Sequence, residues 1–173
     1  MTVLILGPNG SGKSCFAEQA AARLATGGLV YIATMVPYGE EGAARVARHR
    51  DQRAALGFTT IERAAEIAEV PLPPDCVVLL EDVSNLLANT LFSHGGMAES
   101  VYADIQALSG QAYAALWVSI DGLMPQPEFD AGTNAYIEAL NKLNARLADR
   151  ADLVVMMRDG QPAYAKGDAH ALD

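Results

Sequence analysis

The 173-residue sequence predicts an α/β domain of three layers, with a mostly parallel sheet covered by helices on both faces. Two observations carry this expectation. Five short apolar, β-branched runs are continuous rather than alternating, which is how strands buried on both faces read. Between them lie Ala-rich segments with helical spacing, so strand and helix alternate as parallel strands with crossover connections require. A chain of this length buries roughly 70% of the surface its unfolded form exposes, enough for a core without metal or disulfide staples. With no repeat, low-complexity tract or boundary in view, residues 1–173 read as one domain.

The first run, Val-Leu-Ile-Leu at 3–6, enters Gly7-Pro8-Asn9-Gly10-Ser11-Gly12-Lys13-Ser14 directly, which satisfies the Walker A pattern. Its glycines let the backbone wrap closely enough to turn N–H groups toward phosphate oxygens. The helix over 13–24 adds its positive N-terminal end. Lys13 is placed to reach the β- and γ-phosphates of ATP or GTP, and the Ser14 hydroxyl to ligate Mg²⁺. The pattern arises by chance in roughly one such chain per hundred. Here one of only three lysines, Lys13, Lys142 and Lys166, holds the required place between strand and helix. The fold expectation therefore sharpens to a P-loop NTPase-like domain with RecA-like layering.

The second run, Leu-Val-Tyr-Ile at 29–32, predicts a strand, followed by a helix over 40–56. A Pro-rich loop at 70–75 leads into the third run, Cys-Val-Val-Leu-Leu at 76–80. There Glu81 and Asp82 offer a Walker B acid for Mg²⁺. Glu81 is the first choice and Asp82 the reserve, because neighbouring residues at a strand end point in opposite directions. Strand-end acids also serve as caps. A helix over 98–108, a strand at 114–118, a helix over 133–150 and a strand at 153–157 complete the pattern. The Pro-containing loop at 122–129 follows a strand and is a candidate site wall, since ligands of open α/β sheets sit beyond the strands' carboxyl ends.

Lys and Arg number 12 against 21 Asp and Glu, a net charge of −9, which disfavours nucleic acid and anionic membrane surfaces as partners. A phosphate site must then be a local exception. Cys15 and Cys76 are distant in sequence and lack neighbouring ligands, so neither a disulfide framework nor a zinc site is indicated and a reducing cytoplasm fits. The run at 3–6 is too short for a signal-peptide core, and no stretch of about 18 apolar residues predicts a membrane span.

That exception is concentrated in Arg45-Val46-Ala47-Arg48-His49-Arg50-Asp51-Gln52-Arg53, where four of the 12 basic residues fall within nine positions. On a helix Arg45, His49 and Arg53 share one face, with Arg48 beside them. Such a ridge suits a second triphosphate, with His49 as nucleophile or acid/base. A solvated helix face, its arginines paired with Glu40, Glu41 and Asp51, is the competing interpretation. His94 and His170 have no comparable surroundings.

These residues resemble the bifunctional adenosylcobinamide kinase/adenosylcobinamide-phosphate guanylyltransferase family of cobalamin biosynthesis. The likeness begins at Gly-Ser-Gly-Lys-Ser and continues through Tyr31-Ile32-Ala33-Thr34, the Arg45–Arg53 segment and the stretch from Leu79 to Asn89, reaching Leu143–Asp152. It implies a cytoplasmic enzyme with two reactions. A nucleoside triphosphate would phosphorylate the aminopropanol hydroxyl of adenosylcobinamide; GMP from GTP would then pass through a histidine to the phosphorylated corrinoid. His49 falls where the family carries that histidine, with Arg45, Arg48 and Arg53 placed to neutralise phosphates and Mg²⁺ sharing the task. The resemblance also implies a homo-oligomer, a trimer.

The chain departs from the family at Gly10, usually Arg, at Asp82, usually Cys, and at Ala54, usually Pro. The family's Asn-Glu-Val-Gly is Ile120-Asp121-Gly122-Leu123 here, with Asp121 in the acid's place. Its later Arg-x-Phe-Arg-Asp becomes the segment from Asn134 to Glu138, without arginines. Asp82 and Asp121 are both candidates for the general base of the kinase step. A diverged transferase with another substrate and a silent nucleotide-binding protein are the alternatives the phosphate loop also permits.

Overall fold

A computed structural model describes residues 1–36 and 54–172. Among these, the strands are β1 (Thr2–Gly7), β2 (Leu29–Ala33), β3 (Phe58–Glu62), β4 (Val77–Glu81), β5 (Ala114–Ile120), β6 (Leu153–Arg158) and β7 (Gln161–Lys166). The helices are α1 (Lys13–Leu24), α2 (Val83–Phe92), α3 (Ala98–Ser109) and α4 (Ala131–Arg150). One sheet holds the strands in the order β3-β2-β4-β5-β1-β6-β7. Every pairing is parallel except β6 with β7.

The five apolar runs are the five interior strands. Their residues alternate between two cores because successive side chains leave a strand on opposite faces. On one face Leu4, Ile32, Val78, Leu80 and Trp117 meet Leu86 and Leu87 of α2, Ile105 and Leu108 of α3, and Leu140, Leu143 and Leu147 of α4. On the other, Val3, Ile5, Leu79, Leu116 and Val155 pack against Ala17, Ala20 and Ala21, the small side chains through which α1 lies close to the sheet. Each fully buried Leu, Ile or Val contributes about 1.5–3 kcal/mol. Trp117 also satisfies its indole by donating from Nε1 to Ser109 Oγ at 2.9 Å.

The two strands that periodicity does not reveal are the sheet's edges. In β3 only Phe58 is fully buried, and β7 carries Pro162 and is almost wholly exposed, so neither needs a continuous apolar run. Helix α2, also unforeseen, begins one residue past β4, and Asp82 caps it by accepting from Asn85 N. Because β1 to β6 are parallel, Gly7, Ala33, Glu81, Ile120 and Arg158 all end on one edge of the sheet, with β1 flanked by β5 and β6. No helix among the described residues is long and apolar enough to cross a membrane. Cys15 and Cys76 are free thiols, one exposed and one buried.

Candidate active site

The loop from Gly7 to Ser14 leaves the sheet beside its centre and turns into α1. Gly10 and Gly12 take φ of 75° and 85°, the left-handed region open chiefly to glycine. Gly7 is held to glycine by space: a Cβ there would lie 2.5 Å from Ser11 Oγ and 2.8 Å from the Met157 carbonyl. Gly12 is the N-cap of α1 and no side chain caps that end, so first-turn N–H groups face the loop interior. Lys13 is only 7% exposed and donates from Nζ to the Pro8 carbonyl at 3.2 Å, which folds the ammonium back over the loop.

Ser14 Oγ donates to Glu81 Oε1 at 2.6 Å, although β5 separates β1 from β4 in the sheet. The start of α1 therefore bridges to the end of β4. Glu81 Oε2 is buried without a hydrogen-bond partner, and so is Ser11 Oγ. Burial is the main reason that the Glu81 carboxyl is pushed up to about 7; the charges of Asp82 and Glu18 push the same way, while the Ser14 hydrogen bond and Lys13 oppose them. A hydroxyl and a carboxylate with a free oxygen are hard donors that suit Mg²⁺, which takes one or two protein ligands and completes its shell from phosphate and water. Among the described residues no group of three or more His, Cys, Asp or Glu forms a self-sufficient metal cage.

The raised Glu81 value makes a stability prediction. Its ordinary value is 4.5, so the folded protein favours the protonated form, and that stabilisation is complete below 4.5 and lost as pH rises through about 7. Glu81→Gln mimics the protonated acid. In EDTA and without nucleotide, the variant is expected to gain on the wild type by about 2–3 kcal/mol between pH 5 and pH 8. Denaturant titration at both pH values checks it; a gap that does not widen rules out the buried acid.

Asp82 does not join this cluster. Its Oδ1 accepts from Asn85 N at 2.7 Å and from Ser84 Oγ at 2.5 Å, so this oxygen serves as the N-cap of α2. The chain just beyond Glu81 is clamped by Thr34, which is fully buried. Thr34 Oγ1 accepts from Asp82 N and donates to Asp82 O, both at 2.8 Å, and Thr34 N donates to Glu81 O at 3.0 Å. Asn89 Nδ2 in turn donates to the Thr34 carbonyl at 2.8 Å. The Thr34 role escapes sequence reading, although a threonine closing an apolar strand is its visible trace.

Asp121 follows β5 and donates from its backbone N to Gly7 O at 3.4 Å. Both its carboxylate oxygens accept from Arg158, Oδ2 from Nη2 at 2.8 Å and Oδ1 from Nη1 at 3.3 Å, so Asp121 is not a free base here. Arg158 is a residue that sequence reading missed. The turn after it is tied to the phosphate loop by Gly160 N donating to Ser11 O at 3.2 Å. The loop at 122–129 is fastened to α4, where Asn134 bonds Gln126 through both N and O, and Asn141 Nδ2 donates to Leu123 O. Arg45, Arg48, His49 and Arg53 lie outside the described residues.

The fold resembles that of the flagellar accessory protein FlaH of Methanocaldococcus jannaschii, with a TM-score of 0.55 at 11% identity over 96% of this chain and 78% of that one. The bifunctional adenosylcobalamin biosynthesis protein CobU of Escherichia coli K12 is 34% identical over 122 residues, 62% of this chain and 66% of that protein. Its Salmonella typhimurium LT2 counterpart is 32% identical over 110 residues, 62% of this chain and 60% of the other. The matches span slightly less than two thirds of the length of these relatives. A family model described as CobU, cobinamide kinase / cobinamide phosphate guanyltransferase, matches residues 3–164, from the first strand through the phosphate loop and the Glu81 strand to the last edge strand. The chain belongs to the cobinamide kinase / cobinamide phosphate guanyltransferase family.

Proposed function

We propose that the chain phosphorylates adenosylcobinamide with ATP or GTP, and that it transfers GMP from GTP by way of His49 to adenosylcobinamide phosphate. The observation that carries the kinase half is the 2.6 Å contact between Ser14 and Glu81 beside the buried Lys13. Family membership supports the pair of reactions. In the first, backbone N–H groups of residues 8 to 14 cradle the phosphates and Lys13 draws charge from the β–γ bridge as it breaks. Ser14 and Glu81 would hold Mg²⁺, which supplies Lewis-acid neutralisation of the transferring phosphoryl group. The corrinoid hydroxyl attacks the γ-phosphorus, its proton is released to solvent, and the nucleoside diphosphate departs. In the second, a neutral His49 nitrogen attacks the α-phosphorus of GTP and expels diphosphate; a phosphate oxygen of the first product then breaks the P–N bond. Arg45, Arg48 and Arg53 offset the charge that develops.

A second reading keeps both transfers and changes the acceptor. It is favoured by the α4 start, where Asn134 is engaged with Gln126 in a segment from which the family's arginines are missing. One incubation separates the two. With Mg²⁺, ATP and adenosylcobinamide the corrinoid is expected to gain one phosphate by mass, and on adding GTP to become the GDP ester. Nucleotide bound and turned over with no modified corrinoid would leave only the second reading.

A further inference from the structure

The ion pair between Asp121 and Arg158 joins strands that are not neighbours. β5 and β6 lie on either side of β1, so side chains from their ends meet only by passing across the carboxyl end of β1, where the phosphate loop begins. The loop's root confirms the proximity, because Asp121 N donates to Gly7 O and the carbonyl of Met157, next to Arg158, would lie 2.8 Å from a Cβ at Gly7. Arg158 Nη1 also donates to that carbonyl at 3.0 Å, which holds the guanidinium near the strand end. The other arginine following a parallel strand, Arg63, sits four strand positions from β1 and is engaged with Glu66 and Glu69.

The pair is built to exchange. The Arg158 side chain is 51% exposed against 16% for Asp121, so the guanidinium is the partner that an incoming anion can reach. A terminal phosphate offers the same two-oxygen geometry as the Asp121 carboxylate and carries more charge. We propose that Arg158 is a triphosphate-sensing residue, leaving Asp121 for the terminal phosphate of a nucleoside triphosphate seated on the loop. This rests on the reading of Gly7–Ser14 as a nucleotide site. The exchange reads the last phosphate, so it discriminates triphosphate from diphosphate.

The test is binding of a non-hydrolysable nucleoside triphosphate analogue and of the matching diphosphate, with Mg²⁺, by calorimetry. Arg158→Ala is expected to weaken the triphosphate analogue about tenfold and leave the diphosphate unchanged, with Arg158→Lys intermediate because it keeps charge and loses the fork. Asp121→Asn removes the competitor and is expected to tighten the triphosphate analogue several-fold. A pair that merely braces the loop predicts the opposite sign for Asp121→Asn, so equal weakening of both nucleotides, or any loss in Asp121→Asn, overturns the proposal. Wild-type protein that binds neither nucleotide overturns the phosphate-loop reading instead.

Discussion

Alanine at Lys13 is expected to slow phosphorylation of the corrinoid by about 10²–10³-fold, the cost of removing one preorganised charge-stabilising donor from a transition state. Lys13 is only 7% exposed and its ammonium rests on the Pro8 carbonyl at 3.2 Å, which keeps the cation inside the loop before any ligand arrives. Its charge is felt at Glu81, whose carboxyl it draws downward against the effect of burial. Removing it therefore strips the site of a counter-charge on both the phosphate and the acid side. The fold has little stake in the residue: its hydrogen bond goes to a carbonyl of the same loop, so the melting temperature is expected to hold while kcat falls. Lys13→Arg is not a conservative rescue, because a planar fork replaces a compact point charge in a loop that closes around it. Initial rates of phosphate transfer from ATP, with thermal unfolding alongside, check the expectation; activity within a few-fold of wild type would remove Lys13 from the mechanism.

The parts of the molecule that sequence reading reaches are those where one residue's environment is set by chain-local pattern. The runs at Val3, Leu29, Cys76, Ala114 and Leu153 announce themselves because an interior parallel strand is apolar on both faces, and they occupy the five interior positions of the sheet. β3 and β7 stay silent because an edge strand with one covered face, or none, has no such requirement. α2 is hidden by its closeness to β4, with the capping Asp82 as its single signal. The site divides in the same way. Gly7–Ser14 is contiguous and legible. The Ser14–Glu81 contact joins residues 67 apart, and only the strand-then-acid pattern hints at it. Thr34 and Arg158 act through strand order, which decides that the end of β2 abuts the chain after β4 and that β6 flanks β1. Nothing local to either residue encodes that neighbourhood. The identity of the acids shows the same limit: Asp82 and Asp121 read alike as strand-end carboxylates, yet one caps a helix and the other grips an arginine.

Wild-type protein is expected to form a covalent GMP adduct with GTP and Mg²⁺ and His49→Ala to abolish it, a loss of about 10⁴-fold or more in the guanylyl-transfer rate, as removal of a nucleophile produces. The argument is chemical. In a chain of net charge −9, a triphosphate approaches against the mean field, and four arginines within nine residues supply the local reversal. On a helix, a spacing of four residues would set Arg45 and Arg53 one turn to either side of His49, with a guanidinium on each side of an α-phosphate placed on the imidazole. A neutral imidazole is a nucleophile, and a phosphoramidate transfers its phosphoryl group readily. Intact-mass measurement reads the adduct directly, and its disappearance in acid distinguishes a P–N bond from a serine or threonine ester. Arg48→Ala separates nucleophile from frame, since it is expected to slow adduct formation by about 10²-fold without removing the bonding atom. An adduct that survives in His49→Ala would move the nucleophile elsewhere and reduce the arginine segment to a binding surface.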